Sequence, residues 1–251
     1  SDADSTEHCH RTGSATVTRD IVFANSVVTN SRYGVALFMK GGGVYERIRV
    51  ANVRFEGGAR HRIEYPVYVD VDRLTPETPI GAVRDLVFAG LDFRTTGKLL
   101  LAGHPESPLE LVAFDDVRIT VVDGEDFAGV RKPKGNKDHD YDDRGIDLAP
   151  IPAHVTLGRH ALYAETVTGL VLDGVSAQQA RADSDRAAIH LESGGDATIR
   201  LGRALAGTGT FVRIAEGFIG PLVRFGNGVN KARVGFEVPD GVGQTVLGED
   251  E

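Results

Sequence analysis

The sequence predicts an all-β solenoid, in which short parallel strands stack coil upon coil. A ten-residue phrase occurs five times, beginning at residues 19, 46, 84, 110 and 168, as RDIVFANSVV, ERIRVANVRF, RDLVFAGLDF, ELVAFDDVRI and TGLVLDGVSA. Apolar residues alternate with other residues in these phrases, which is typical of a strand with one buried face. Such a unit cannot bury its own apolar face and must stack on copies of itself, which indicates a solenoid.

The aligned copies predict where the chain bends. Their central apolar column contains Phe23, Val50, Phe88, Phe114 and Leu172. A second column, two residues further on, contains Asn25, Asn52, Gly90, Asp116 and Gly174. Small polar residues and glycine tolerate the backbone angles of tight turns. We therefore expect a sharp bend between two strand segments in every copy.

The spacing of the copies predicts the size of a coil. The central column advances in steps of 27, 38, 26 and 58 residues, and the short steps indicate coils of about 22–30 residues. The longest step contains residues 122–158, which we interpret as a loop insertion on one face of the solenoid. Residues 1–251 are expected to form one domain, with a polar N-terminal segment at 1–15 and an acidic tail at 240–251.

The composition excludes several classes of protein. The net charge is −8, from 28 basic and 36 acidic residues, which argues against a nucleic-acid-binding protein. The single cysteine, Cys9, excludes an intrachain disulfide. No apolar run approaches the ~20 residues that a membrane span needs. The polar start has no signal-peptide pattern, so we expect that any export signal has been removed or never existed.

Residues 16–192 resemble the later coils of the polygalacturonases. The resemblance is carried by RDIVFANSVVTNSRYGVALFMKGGGVYERIRVANVRF, YPVYVDV, GHPESPLELVAFDDVRIT and HALYAETVTGLVLDGVSA. These segments are similar in order and form to the coils of that family, with an NS-x-x-G strand, a glycine turn and NI-x-F-x-N-V phrases. The resemblance implies a right-handed single-stranded parallel β-helix, the pectin lyase-like solenoid. We also expect a secreted protein, either extracellular or periplasmic.

The activity that this resemblance implies is hydrolysis of the glycosidic bonds of an acidic polysaccharide. Polygalacturonases are inverting enzymes with one carboxyl group as general acid and others that activate water. In that family the aspartates lie in earlier coils, in Asn-Thr-Asp and Asp-Asp motifs, followed by Gly-His-Gly and Arg-Ile-Lys. This sequence contains neither Asn-Thr-Asp nor Gly-His-Gly. Most catalytic carboxylates are therefore expected in upstream coils.

The resemblance implies three candidate catalytic residues, His8, His10 and Lys40. His8 and His10 lie about where the catalytic histidine of the family falls. Lys40 ends VALFMK, which stands where Arg-Ile-Lys follows in the family, and it matches that lysine with a shift of two residues. For the two histidines the alternative is a polar terminus without a role in catalysis.

The candidate substrate-binding residues are Arg32, Tyr33, His61, Arg62 and Glu64. Arg32 and Tyr33 begin a strand whose counterpart lines the substrate cleft in the family, and the other three lie in a neighbouring loop. Aromatic rings stack on sugar faces, and cations pair with uronate carboxylates. The alternative is that Tyr33 packs at the edge of a coil and that the charged residues are solvated.

A cluster of aspartates, Asp138, Asp140, Asp142 and Asp143, lies within the loop insertion. Alternating carboxylates suit Ca²⁺, although the EF-hand pattern fails because its sixth position is Asp143 rather than glycine. Calcium at Asp138, Asp140 and Asp142 is the single cofactor hypothesis, and a solvated loop is the alternative.

Three functional hypotheses remain open at the level of sequence. The first is a polygalacturonase-like hydrolase with a polysaccharide substrate. The second is a β-helical glycan-binding or adhesin-like module that binds through Tyr33, His61 and the arginines without turnover. The third is a polysaccharide lyase, which needs a general base and often calcium.

Overall fold

The computed structural model of the protein describes residues 16–29, 31, 33–56, 65–73, 75–95, 97–121, 160–178, 187–248 and 250. These residues form strands, turns and bends, and none of them is helical. All the ladders between the sixteen strands are parallel. The expected all-β, solenoid-like fold of parallel strands is confirmed.

The strands form two columns, which we call the first and second stacks. The first stack contains the repeated phrases and consists of β1 (Val17–Thr29), β3 (Val44–Glu56), β5 (Ala82–Thr95), β7 (Leu109–Val121), β9 (Val167–Asp173), β10 (Ser176–Gln178), β12 (Arg203–Ala204), β14 (Leu222–Phe225) and β16 (Gln244–Leu247). The second stack consists of β2 (Tyr33–Met39), β4 (Tyr65–Val71), β6 (Leu99–Ala102), β8 (Leu162–Glu165), β13 (Thr208–Phe218) and β15 (Ala232–Glu237). The long strand β11 (Ala187–Arg200) belongs to the second stack with its first half and to the first stack with its second half.

The register of the first stack confirms the alignment of the repeated phrases. Phe23 pairs with Val50, Val50 with Phe88, Phe88 with Phe114, and Phe114 with Leu172. The pairing then continues through Ile199, Arg224 and Val246. The structure therefore contains three later copies of the phrase that the sequence alignment did not include.

The predicted bends are confirmed, and a second set accompanies them. The predicted column has positive φ at Asn25, Asn52, Gly90, Asp116 and Gly174, between 49° and 63°. Five residues earlier in each copy, a second column also has positive φ, at Asp20, Arg47, Asp85, Leu111 and Gly169. Each phrase is therefore bent twice. The bends also bring Asn52 Nδ2 within 3.3 Å of Asn25 Oδ1, so that amide groups at the bends bond from coil to coil.

The core lies between the two stacks and contains the inward side chains of both. Its largest members include Phe88 and Phe114, whose rings stack at 4.9 Å on successive coils. Phe55 and Phe93 stack in the same way at 4.8 Å. Coil-to-coil stacking of identical positions thus fills the interior.

The remaining predictions on domain organisation are only partly within the described residues. The N-terminal segment 1–15 and the loop insertion 122–158 lie outside them. Residues 244–247, within the expected acidic tail, form β16 and pair with β14. No helix in the described part of the chain is long and apolar enough to cross a membrane.

Candidate functional site

The outward faces of the two stacks differ in burial. In β3, buried Ile48 and Val50 alternate with exposed Arg47 and Arg49, as expected for a strand with one face in water. In β4 all seven residues are buried. The outward side chains of β4 are therefore packed rather than solvated.

We call the outward side chains of the second stack the outer row. Alternate residues of the second stack, such as Val67, Val69, Leu99 and Leu101, belong to the core, so the residues between them face outward. The outer row runs along the solenoid in register and consists of Tyr68, Asp70, Leu100, Tyr163, Glu165, His190, Glu192, Arg213 and Glu237. Aromatic, acidic and basic groups thus lie side by side on consecutive coils.

An aromatic cluster occupies the first coils of the outer row. The ring of Tyr33 stacks on Tyr65 at 5.8 Å and on Tyr68 at 6.4 Å. Phe38 meets Tyr68 edge to face at 4.8 Å. Tyr33, which the sequence predicts as a sugar-binding residue, is therefore half-buried within a cluster of rings.

Lys40 lies at the edge of the aromatic cluster and is ion-paired. Its Nζ is 2.6 Å from Asp70 Oδ2 and 3.7 Å from Asp72 Oδ2. The Asp70 side chain is only 2% exposed, and the hydroxyl of Tyr68 lies 3.5 Å from the same carboxylate oxygen. A buried carboxylate requires such a partner because removing an unpaired charge from water is costly. Lys40 therefore neutralises Asp70.

Two carboxylates lie on adjacent strands in the middle of the outer row. Ala164 pairs with Leu191, so the residues that follow them, Glu165 and Glu192, lie side by side. The Tyr163 hydroxyl donates a hydrogen bond of 3.0 Å to Glu165 Oε2. Burial raises the pKa of Tyr163, and the nearby Glu165 and Glu192 carboxylates raise it further. The phenol therefore stays protonated and serves as a donor.

A histidine is held against the second of these carboxylates. His190 Nε2 is 2.7 Å from Glu192 Oε2, while its Nδ1 is buried and has no hydrogen-bond partner among the described residues. The imidazole ring stacks parallel to Tyr163 at 5.4 Å and lies 4.8 Å from His160. His160 itself is fixed by a 2.7 Å bond between its Nδ1 and the carbonyl of Ala187. The carboxylate thus orients the imidazole, an arrangement suited to proton transfer.

The cluster is accessible from solvent at Glu192. Its side chain is 46% exposed, whereas His190 is largely buried. Two basic groups near the cluster are already engaged within the protein. Lys98 is only 1% exposed, with its Nζ 5.4 Å from the ring centroid of Tyr163, and Arg213, in register with His190, bonds to Glu237.

An open hollow of about 590 Å³ lies elsewhere, on the first stack beside the bends. Its charged lining residues are Arg54, Asp92, Asp116 and Arg118, of which Arg54, Asp92 and Arg118 alternate in sign and are in register on neighbouring strands. Alternating charges on adjacent strands support each other as cross-strand pairs. The lining of the hollow contains no histidine, unlike the outer row, so we place the candidate site in the outer row.

The structure brings together only two of the residues that the sequence predicts for the site. Tyr33 and Lys40 both contact the Tyr68–Asp70 part of the outer row. The other predicted site residues, His8, His10, Arg32, His61, Arg62 and Glu64, lie outside the described residues. The calcium hypothesis at Asp138, Asp140 and Asp142 also falls outside them.

Sequence reasoning missed the central residues Tyr163, Glu165, His190 and Glu192. Their signal is the alternation of polar and aromatic residues with apolar ones in HALYAE and AAIHLE. Both segments are short, and in a strand the same alternation describes an ordinary solvated face. Burial of the outward residues, which distinguishes the two cases, appears only in the fold.

Comparison of the chain with protein-family models, with curated proteins and with solved structures found no match.

Proposed function

We propose that the chain is a right-handed single-stranded parallel β-helix of the pectin lyase-like kind that hydrolyses glycosidic bonds in an acidic polysaccharide. The observation that carries this proposal is the side-by-side placement of Glu165 and Glu192, with Tyr163 and His190 bonded to them. Glycosidases work with two carboxyl groups that flank the scissile bond. The sequence resemblance to polygalacturonases supports the same reaction class.

The roles follow from accessibility and hydrogen bonding. The side chain of Glu192 is 46% exposed and is oriented by His190, which suits it to proton transfer. Glu165 accepts a hydrogen bond from the protonated Tyr163, which fixes the orientation of the carboxylate.

Glu165 and Glu192 lie on adjacent strands, and backbones of adjacent strands are about 4.8 Å apart. The resemblance to polygalacturonases, which are inverting enzymes, leads us to expect inversion of configuration, for which the carboxyl groups stand ~6.5–9.5 Å apart with a water between them. Retention would instead indicate a separation of ~5–5.5 Å and a covalent intermediate.

The experiment is a reducing-end assay on polygalacturonate, with a neutral glucan as the control substrate. Glu192→Gln is expected to lower the rate on the order of 100-fold or more. Glu110→Gln is the matched control, because Glu110 is an exposed glutamate on β7 of the first stack. Proton NMR of the first product shows its anomeric configuration. No release of reducing ends from any uronate polymer would contradict the hydrolase proposal.

A second candidate, a glycan-binding module without turnover, is favoured by the ion pairing of Lys40. A lysine neutralised by Asp70 and Asp72 holds the row in a fixed shape and is not free for proton transfer. This candidate predicts that polygalacturonate binds in calorimetry and that no product forms. Unsaturated products with a rise in ultraviolet absorbance would instead indicate a lyase.

A further inference from the structure

The backbone is strained at the corner between the two stacks that follows Glu165. Thr166 alone separates β8 from β9, and its φ is 53°. A β-branched residue is an outlier in this left-handed region, which glycine and asparagine tolerate. The other non-glycine residues with positive φ lie along the first stack, at its bends. Strained residues cluster at functional sites, and this one lies directly beside a candidate catalytic carboxylate.

Hydrogen bonds hold this corner from three neighbouring segments. The Thr166 amide donates to Ser193 Oγ at 2.9 Å, and the Thr166 carbonyl accepts from the Leu109 amide at 3.0 Å. The Glu165 carbonyl accepts from the Gly103 amide at 2.9 Å. A strained conformation persists only where its surroundings over-determine it, and these bonds meet that requirement.

The neighbouring coils also approach the corner closely. A Cβ on Gly103 would clash with the carbonyl oxygen of Thr166, and a Cβ on Gly194 would clash with the carbonyl oxygen of Val167. Glycine permits such a close approach of two backbones. The corner is therefore packed tightly against the coils on either side of it.

The hydroxyl of Ser193 connects the residues that follow the two candidate carboxylates. Thr166 follows Glu165, Ser193 follows Glu192, and the two coils are in register here. Ser193 Oγ lies 3.4 Å from Thr166 Oγ1, in addition to its bond with the amide. The side chain of Ser193 thus joins one carboxylate-bearing coil to the other.

We propose that Ser193 is a positioning residue, whose hydroxyl holds the strained Thr166 corner and so fixes Glu165 beside Glu192. Ser193 acts through the backbone of Thr166 and not on the substrate. This inference rests on the proposed function of the two carboxylates. Loss of the hydroxyl removes the partner of the Thr166 amide and allows the corner to relax. A displacement of reacting groups by about 1 Å can lower a rate on the order of 100-fold.

Steady-state kinetics of Ser193→Ala on polygalacturonate test the proposal. We expect kcat to fall about 10-fold and KM to stay within about twofold of the wild-type value, because the substrate contacts remain while the carboxylates are misplaced in the transition state. Ser193→Thr keeps a hydroxyl and is expected to restore kcat. The matched control is Ser26→Ala, because Ser26 Oγ donates to the Ala24 carbonyl at 3.0 Å on the first stack. This control should leave kcat unchanged.

Hydrogen exchange at the Thr166 amide, followed by NMR, gives a second measurement that needs no catalysis. Exchange is expected to be faster in Ser193→Ala than in the wild-type chain, and slow again in Ser193→Thr. A wild-type kcat in Ser193→Ala would overturn the proposal, as would an unchanged exchange rate of the Thr166 amide. A wild-type chain without activity on any uronate polymer would instead overturn the proposed function, and the role of Ser193 with it.

Discussion

Strands β3 and β4 follow each other in one coil, yet their outward faces are built differently. β3 presents arginines to water, and its outward side chains line a solvated surface. β4 presents Tyr68 and Asp70 outward, and both are buried and bonded to neighbours. The same backbone geometry therefore supports a scaffold on one side and a packed polar row on the other. The difference indicates that the packed polar face, rather than the solvated one, is where this solenoid can carry a functional site.

The largest expected effect is the difference in stability between substitutions of outward residues in β4 and in β3. Tyr68→Ala is expected to lower the free energy of unfolding by about 4 kcal/mol, as for an aromatic residue removed from a core. Arg49→Ala, at an exposed outward position of β3, is expected to change it by less than about 0.5 kcal/mol. Chemical denaturation measures both values. Equal losses would remove the distinction between the two faces.

A smaller effect is expected from the ion pair of the second stack. Asp70→Asn is expected to cost about 2–3 kcal/mol, because it removes the shorter ion pair of the largely buried Lys40 and leaves only Asp72, 3.7 Å away, as its counter-ion. Asp20→Asn on the first stack also removes an ion pair, with Arg47, but that pair is exposed and we expect little change. If the two variants unfold at the same denaturant concentration, the burial of Asp70 has no energetic consequence.

The bends of the first stack predict a gain in stability. Leu111 has φ of 55° and an exposed side chain, and leucine is strained in this region. Leu111→Asn is expected to raise the free energy of unfolding by about 1 kcal/mol, because asparagine adopts positive φ more readily. Arg49→Asn, in an extended and exposed part of β3, serves as the control and should give no gain. A loss at Leu111 would mean that its side chain stabilises the bend.

The smallest effect concerns pH and the end of the second stack. The hydrogen bond from Arg213 holds the pKa of Glu237 below its usual value of 4.5, against a partial rise from burial. Because the folded pKa is the lower one, the stabilisation is present above about pH 4.5 and is lost as the pH falls through the folded pKa. In Glu237→Gln, the free energy of unfolding should fall less on acidification than in the wild-type chain, by a difference of less than about 1 kcal/mol. If the variant and the wild-type chain lose the same stability below pH 4.5, the Arg213–Glu237 pair contributes nothing to stability.

The sequence predicts the strands and bends of the solenoid well because they recur from coil to coil. The column of Phe23 and the bends at Asn25 and Gly90 carry recognisable residue types in several copies. The second bend column is not recognisable, because Arg47 and Leu111 occupy it and neither residue type indicates a turn. The last copies were missed for a similar reason, since Arg224 stands in an apolar column and is compensated by Asp250.

The residues of the candidate site were harder to predict from the sequence than the repeated strands and bends. Tyr33 and Lys40 could be proposed because they follow a recognised strand, and the structure does place them at the outer row. Glu165 and Glu192 are 27 residues apart and become neighbours only through the coil register. A single sequence does not show whether an outward residue is buried, and that property separates the outer row from the solvated face of the first stack.

Hydrogen exchange in the presence of saturating oligogalacturonate tests the central claim most directly. A ligand on the outer row is expected to slow exchange in β8 and in the first half of β11, where Glu165 and Glu192 lie. Exchange in β5 and β7 of the first stack is expected to stay unchanged. Protection of β5 and β7, with none in β8 and β11, would place the ligand on the first stack and contradict this account.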